Sequence, residues 1–285
     1  METIKEKAFA KVNLTLDVLG KREDGYHELK SVMQSISLCD ELTLTIGTQR
    51  PWQLRCDAEG VPCDRRNLVW KAAEVFFEAL GRDPDGLDME LIKVIPSEAG
   101  LGGGSADAAA VLRGLNRHYG HPFSREALAD LGAKVGSDVP FCVLGGTAMA
   151  QGRGEVLRPL KPIPGCFFIV VKPDFPVSTP ALFRELDRQE MENRPDNDAM
   201  EAAVRAGDLG EIARLLANVF EPVVAREHPE IGDIRKMLMD AGALGCQMSG
   251  SGSACFGIAD SGEAAKKIYD ALKKKYPRTY LASAV

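Results

Sequence analysis

Between Ala8 and Leu19, Val12, Leu14, Leu16 and Val18 alternate with Lys11, Asn13, Thr15 and Asp17. That is the period of a half-buried strand. It puts Lys11 and Asn13 on one face, opposite the core-facing one. The stretch from Gly20 to His27 is polar, carries two glycines and reads as a loop. Tyr26 and His27 close it, a second alternating run follows to Leu38, and Leu42, Leu44 and Ile46 mark one more strand. The period turns helical from Asn67 to Leu80, with Leu68, Ala72, Val75, Phe76 and Ala79 on one side and Gly81 at the end. Met89 to Ile95 predicts a strand ending at Pro96, and Ala108, Leu112, Leu115 and Tyr119 then recur at helical spacing. A further helix starts at a Ser124 cap and runs through Leu128 and Leu131. Thr147 to Ala150 and Glu155 to Leu157 flank a Gly-Arg-Gly hairpin.

Proline density rises over Lys161-Pro-Ile-Pro-Gly165, which places a domain boundary there, with domains 1–160 and 161–285. Beyond it, Phe167 to Val171 is a continuous apolar strand, and Ser178-Thr179-Pro180 opens a helix with proline in its first turn. Helices are expected over 198–206, 208–219, 229–241 and 262–275, and a last strand over Thr279 to Ser283. Leu244 to Gly257 forms a second glycine-rich loop between apolar strands. Strands mixed with helices without strict alternation indicate an α+β protein.

The stretch with the most chemistry is Pro96-Ser97-Glu98-Ala99-Gly100-Leu101-Gly102-Gly103-Gly104-Ser105-Ala106, set between a strand and a helix. Glycines let backbone N–H groups approach a ligand with no Cβ in the way. The helix start adds unsatisfied donors and the positive end of a dipole. Together they suit a phosphate chain. No lysine follows the glycines as in a P-loop, and the first-strand βαβ setting of a dinucleotide fingerprint is missing. Ser105 and Asp107 add capping and metal-binding potential at the helix start. The plainer reading is a turn that lets a helix pack closely. Asp138, in Gly136-Ser-Asp-Val-Pro140, reads locally as a turn or cap residue, and Lys11 as a solvated strand residue.

Composition narrows the field. A chain of 285 residues is long for one core and comfortable for two domains. A net charge of -6 argues against a nucleic-acid partner. No apolar run reaches membrane-spanning length and the N-terminus lacks a signal peptide's apolar core, so a cytoplasmic protein without membrane contact is expected. The seven cysteines, at 39, 56, 63, 142, 166, 246 and 255, include no C-x-x-C, and several, such as Cys142 and Cys255, lie in apolar runs. They read as buried free thiols. The four histidines are scattered, and no metal-ligand set is expected from them.

Three segments, in order, resemble the three motifs of the GHMP kinases: Ala10-Lys-Val-Asn-Leu14, Pro96 to Ala106, and Met248-Ser-Gly-Ser-Gly-Ser-Ala-Cys255. The resemblance implies a two-domain fold, with a ribosomal-protein-S5-like N-terminal domain and a ferredoxin-like C-terminal domain. It implies ATP with Mg²⁺ and transfer of a phosphoryl group to an alcohol. Lys11 and Asp138 match a catalytic cation and general base, and Pro96 to Ala106 the ATP-phosphate loop. The Asp24-Gly-Tyr-His27 element and the setting of Asp138 resemble the branch whose acceptor is a cytidine-diphosphate-linked methylerythritol, on the methylerythritol phosphate route to isoprenoids. On that resemblance Tyr26, His27 and Phe183 hold the cytosine, Asn13 and Thr179 make polar contacts to the acceptor, and the 249–252 loop lies beside the phosphates. The partners implied are these small molecules, with the chain a monomer or weak homodimer. Two other readings stay open: a family kinase acting on homoserine or a mevalonate derivative, and a non-catalytic nucleotide sensor on the same fold. Tyr26-His27 speaks against the first, whose acceptors have no base to stack. Retention of both Lys11 and Asp138 speaks against the second.

Overall fold

The computed structural model describes residues 1–82, 86–188 and 194–285. In chain order it runs β1 (Glu2–Asn13), β2 (Thr15–Lys21), β3 (His27–Ile46), β4 (Gln53–Cys56), α1 (Leu68–Leu80), β5 (Leu87–Ile92), α2 (Gly103–His118), α3 (Arg125–Ala133), α4 (Val139–Leu144), β6 (Thr147–Gly152) and β7 (Val156–Pro159). It continues through β8 (Phe167–Val171), α5 (Thr179–Leu186), α6 (Asn197–Ala206), α7 (Leu209–Arg214), β9 (Ala217–Asn218), α8 (Glu221–Glu227), α9 (Glu230–Asp240), β10 (Gly245–Met248), β11 (Cys255–Ala259), α10 (Gly262–Lys273) and β12 (Thr279–Ser283).

Two compact units result, each assembled from separate stretches of chain. The first comprises Met1–Ala10, Cys39–Ile95 and Gly102–Gly145. In it β5 pairs antiparallel with residues 41–46 of β3 and parallel with β4, and α2 packs against α1 and α4. Asn67 caps α1 through its side chain and Gly81 closes it in the left-handed conformation, as the sequence suggests. The buried face is turned from the expected one. Val69, Ala72, Ala73, Phe76 and Phe77 are inside, Ala79 is exposed, and an aromatic group of Phe76, Phe77, Tyr119 and Phe123 sets the helix's rotation.

The second unit comprises Lys11–Leu38, Pro96–Leu101 and Gly146–Val285. Here the first half of β3 pairs with β2 and β6, and β2 pairs with β9. A four-stranded antiparallel sheet has the order β10-β11-β8-β12, with α9 and α10 packed on it. Numbered within this sheet the order is 4-1-3-2, the ferredoxin-like arrangement that the motifs imply. Its core includes Ile169, Val171, Ile231, Ile234, Leu238, Ile268 and Leu272.

Several elements differ from their sequence patterns. The two strands expected between His27 and Ile46 are one strand of twenty residues. No Gly or Pro interrupts it, and Asp40, mid-strand and 0% exposed, is satisfied by the backbone N–H groups of Val94 (2.5 Å) and Ile95 (2.7 Å). The helix expected over 208–219 stops at Arg214, because Ala217 and Asn218 join β2 as a short strand. The helix α8 was not anticipated. None of the seven cysteines forms a disulfide, but only Cys166, Cys246 and Cys255 are buried, and Cys142 is half-buried. Among the described residues no helix is long and apolar enough to cross a membrane.

Candidate active site

The alternating pattern around Lys11 predicts a solvated polar face, and the structure contradicts it. Lys11 and Asn13 are each 4% exposed. Burying an ammonium group without partners is costly. The Lys11 Nζ donates to Asn13 Oδ1 at 2.7 Å, Asn13 Nδ2 donates to Ser31 Oγ at 2.8 Å, and Ser31 Oγ donates to the Thr15 carbonyl at 2.5 Å. Gln247 Nε2 donates to the Asn13 carbonyl at 2.8 Å. The lysine is therefore held at a fixed point, and the Lys11 backbone N–H donates to the Leu101 carbonyl (2.9 Å), joining the first motif to the second.

The second glycine loop packs directly on the first. Ala254 N donates to the Ala99 carbonyl (3.2 Å) and Ser249 Oγ to the Gly100 carbonyl (3.0 Å). Gly100 has φ +71, and a Cβ placed on it would lie 2.0 Å from the Ser249 carbonyl oxygen. A Cβ on Gly250 would lie 3.3 Å from Lys11 Nζ. Asn218, which sequence reasoning missed, fixes this loop: its Nδ2 donates to the Met248 and Gly250 carbonyls, both at 2.8 Å. Its only sequence signal was a polar residue between Ala217 and an apolar pair. Ser251 Oγ and Thr179 Oγ1 lie 2.7 Å apart, tying the loop to the first turn of α5.

Gly102, with φ +70, starts α2. No side chain caps this helix and its first turn holds no acidic residue. The capping role suggested for Ser105 and Asp107 is therefore not taken up. The amides of the first turn have no side-chain acceptor, Gly104 is exposed, and a sixteen-residue helix directs its dipole at them. Asp107 is buried under the same turn: its Oδ2 accepts from Lys93 Nζ at 2.6 Å, and the same ammonium pairs with Asp40. Burial, opposed by Lys93 and reinforced by Asp40, pushes the Asp107 carboxyl up to about 7. With Oδ2 engaged by Lys93 and Oδ1 buried without a hydrogen-bond partner, the half-buried Ser105 hydroxyl is the more accessible candidate oxygen at the helix start. Among the described residues no group of three or more His, Cys, Asp and Glu is arranged to hold a metal.

Asp138 lies in the turn that its local sequence suggests, directly before α4, but its side chain makes no capping hydrogen bond. It is half-buried and belongs to the first unit. At the other candidate subsite, His27 stacks on Phe183 (centroids 4.5 Å apart, planes at 20°), and Phe183 meets Phe220 edge-on at 5.0 Å. Tyr26 is 54% exposed, with the Arg153 guanidinium 4.9 Å from its ring centroid. The structure thus brings His27 and Phe183 together, whereas Tyr26 is paired with Arg153.

This geometry has counterparts in known proteins. The GHMP kinases N terminal domain matches residues 67–146 and the GHMP kinases C terminal domain residues 200–278. The chain is 41% identical over 279 residues to a 4-diphosphocytidyl-2-C-methyl-D-erythritol kinase of Clostridium kluyveri, covering 98% of this chain and 99% of the relative. It is 46% identical over 261 residues to the protein of that name from Pelotomaculum thermopropionicum, covering 92% and 91%. The crystal structure of a 4-(cytidine 5'-diphospho)-2C-methyl-D-erythritol kinase superposes with a TM-score of 0.83 at 34% identity, covering 99% of each chain. A homoserine kinase from Cytophaga hutchinsonii shares the fold with a TM-score of 0.82 at 23% identity, over 100% of this chain and 95% of its own. With both domain signatures, three motifs in order and full-length relatives, this chain belongs to the GHMP kinase family.

Proposed function

We propose that the chain phosphorylates the 2-hydroxyl of 4-diphosphocytidyl-2-C-methyl-D-erythritol with ATP, giving the 2-phosphate and ADP, a step toward isoprenoid precursors. The observation that carries this reading is full-length identity of 41–46% to relatives of that name. The stacked His27–Phe183 pair, suited to an aromatic base, supports it. Asp138 takes the proton from the acceptor hydroxyl as that oxygen bonds to the γ-phosphorus and the bond to the β-phosphate oxygen breaks. Lys11, fixed by Asn13, neutralises charge on the transferring group. The loop from Pro96 to Ala106 holds the phosphates through backbone N–H groups that follow the proline. Tyr26, His27 and Phe183 hold the base, and Asn13 and Thr179 contact the rest of the acceptor.

The donor set fits a phosphate-bound Mg²⁺, which keeps several waters and needs few protein ligands; Ser105 would supply the protein oxygen. When bound, the cation offsets charge on the phosphates. Seven cysteines without a disulfide support a cytoplasmic setting. We read the chain as a monomer or weak homodimer with its boundary near residue 160, between the two family matches. ADP release with the cytidyl acceptor, homoserine and mevalonate tests the assignment. Turnover confined to the cytidyl compound is expected. A preference for another acceptor, or ATP binding without turnover, overturns it.

A further inference from the structure

We propose that Asp187 makes the acceptor site selective for a 4-aminopyrimidine over a 4-oxopyrimidine by fixing the tautomer of His27. The inference rests on the reading above that the base binds at Tyr26, His27 and Phe183. His27 Nε2 lies 2.7 Å from Asp187 Oδ1, and the imidazole is 9% exposed. A carboxylate offers only acceptors, so in the neutral imidazole Nε2 carries the hydrogen and Nδ1 is left as an acceptor. Asp187 follows α5 directly, four residues after Phe183, and its backbone N–H donates to the Phe183 carbonyl at 3.0 Å. Residues four apart share a helix face. One helix end therefore grips His27 twice, Phe183 on its ring face and Asp187 on its ring edge.

The orientation suits edge reading. The imidazole plane lies within 20° of the Phe183 ring. A base hydrogen-bonded in the plane of the imidazole is then parallel to the Phe183 ring as well, the orientation that stacking requires. An acceptor at Nδ1 matches the exocyclic N–H of cytosine. Set against the 4-oxygen of uracil, it leaves two acceptors facing each other with no hydrogen between them. Asp187 touches no substrate in this account; it is a positioning residue acting through His27.

The test compares kcat/KM for the cytidyl acceptor and its uridyl counterpart at pH 8.5, above the ordinary imidazole range. The parent protein should prefer the cytidyl compound by roughly 10- to 100-fold, the scale of one mismatched buried hydrogen bond. Asp187→Asn can donate to or accept from Nε2, so it releases the tautomer. The preference should narrow to about threefold or less, with KM for ATP and the melting temperature unchanged. Nitrogen NMR of the His27 ring should show one protonated Nε2 in the parent and a tautomer mixture in the variant. An unchanged preference, or an unchanged ring spectrum, overturns the inference. Phe183→Ala separates the two levels: if it raises KM for the cytidyl acceptor while Asp187→Asn does nothing, the base site stands and the tautomer argument falls. If Phe183→Ala also leaves that KM unchanged, the base binds elsewhere and both fall.

Discussion

Gly100→Ala separates a packed pair of loops from a merely flexible one. Gly100 sits at φ +71, where a residue with a Cβ costs about 1–2 kcal/mol. The added methyl would lie 2.0 Å from the Ser249 carbonyl oxygen, 2.9 Å from its carbon and 3.0 Å from Gly252 N, all backbone. The loops must therefore separate by about 1 Å or more to reach ordinary contact. That movement endangers the bonds from Ser249 Oγ to the Gly100 carbonyl and from Ala254 N to the Ala99 carbonyl, each worth roughly 0.5–1.5 kcal/mol. Together the losses reach about 3 kcal/mol, or roughly 6–12 °C in Tm for a chain of this size. Gly104→Ala is the matched control. Its backbone is helical, and its Cβ would meet only Leu68 Cδ1 at an ordinary 3.6 Å. It should melt at or slightly above the parent temperature, since alanine is the better helix residue. Because Gly104 is exposed at the first turn, the same methyl should weaken ATP binding by calorimetry. A Gly100→Ala protein that melts within about 2 °C of the parent would refute the loop packing. Unchanged ATP affinity in Gly104→Ala would show that phosphate does not approach there.

Three further outcomes are expected. Asp138→Asn should lower kcat by about 10²- to 10⁴-fold with ATP affinity retained; turnover within a few-fold of the parent removes the general-base assignment. Tyr26→Ala should raise KM for the cytidyl acceptor about ten- to a hundredfold and leave KM for ATP alone; equal loss of both makes Tyr26 a pin for its loop. The Asp107 carboxyl, raised by burial to about 7, keeps its proton where the unfolded chain has lost it near pH 4, so its contribution to stability is full below that pH and is lost as the pH rises toward 7. Asp107→Asn should flatten the decline in Tm over that range, and an unchanged slope counts against the buried cluster.

Elements whose pattern is purely local were legible. Phe167–Val171 and Thr279–Ser283 match their strands end to end, and Asn67 and Gly81 bound their helix, because an apolar run or a cap announces itself within a few residues. Long-range partners were not legible. The alternation around Lys11 was real and put Asn13 beside it, but it predicted a wet face because nothing nearby in sequence reveals Ser31 and Gln247 closing on Asn13. The cluster of Asp40, Lys93 and Asp107 has no local signal for the same reason: Lys93 pairs with Asp40, 53 positions before it, and with Asp107, beyond the glycine loop. Glycines could be counted, but which of them needed to be glycine was set by contact. Gly103, helical, would bring its Cβ 3.1 Å from an Ile95 methyl, whereas Gly100 would meet backbone at 2.0 Å.

The choice of acceptor is a different question from the fold. A homoserine kinase superposes almost as well as a cytidyl-methylerythritol kinase, with TM-scores of 0.82 and 0.83, so backbone shape carries almost no information about what is phosphorylated. What can discriminate is a small set of side chains at the start of β3 and along α5. A base stacked on an aromatic gains roughly 1–3 kcal/mol that an acceptor without a base cannot gain. Two unlike segments must meet to supply it, and they do: His27 opens β3, Phe183 and Asp187 belong to the end of α5, and the three side chains touch across 156 to 160 positions of sequence. Such a contact has no reason to persist for homoserine or mevalonate. Acceptor specificity in this chain is therefore expected to move with residues 26, 27, 183 and 187, and to be indifferent to substitutions in the glycine loops, whose proposed ligand is the ATP phosphate chain.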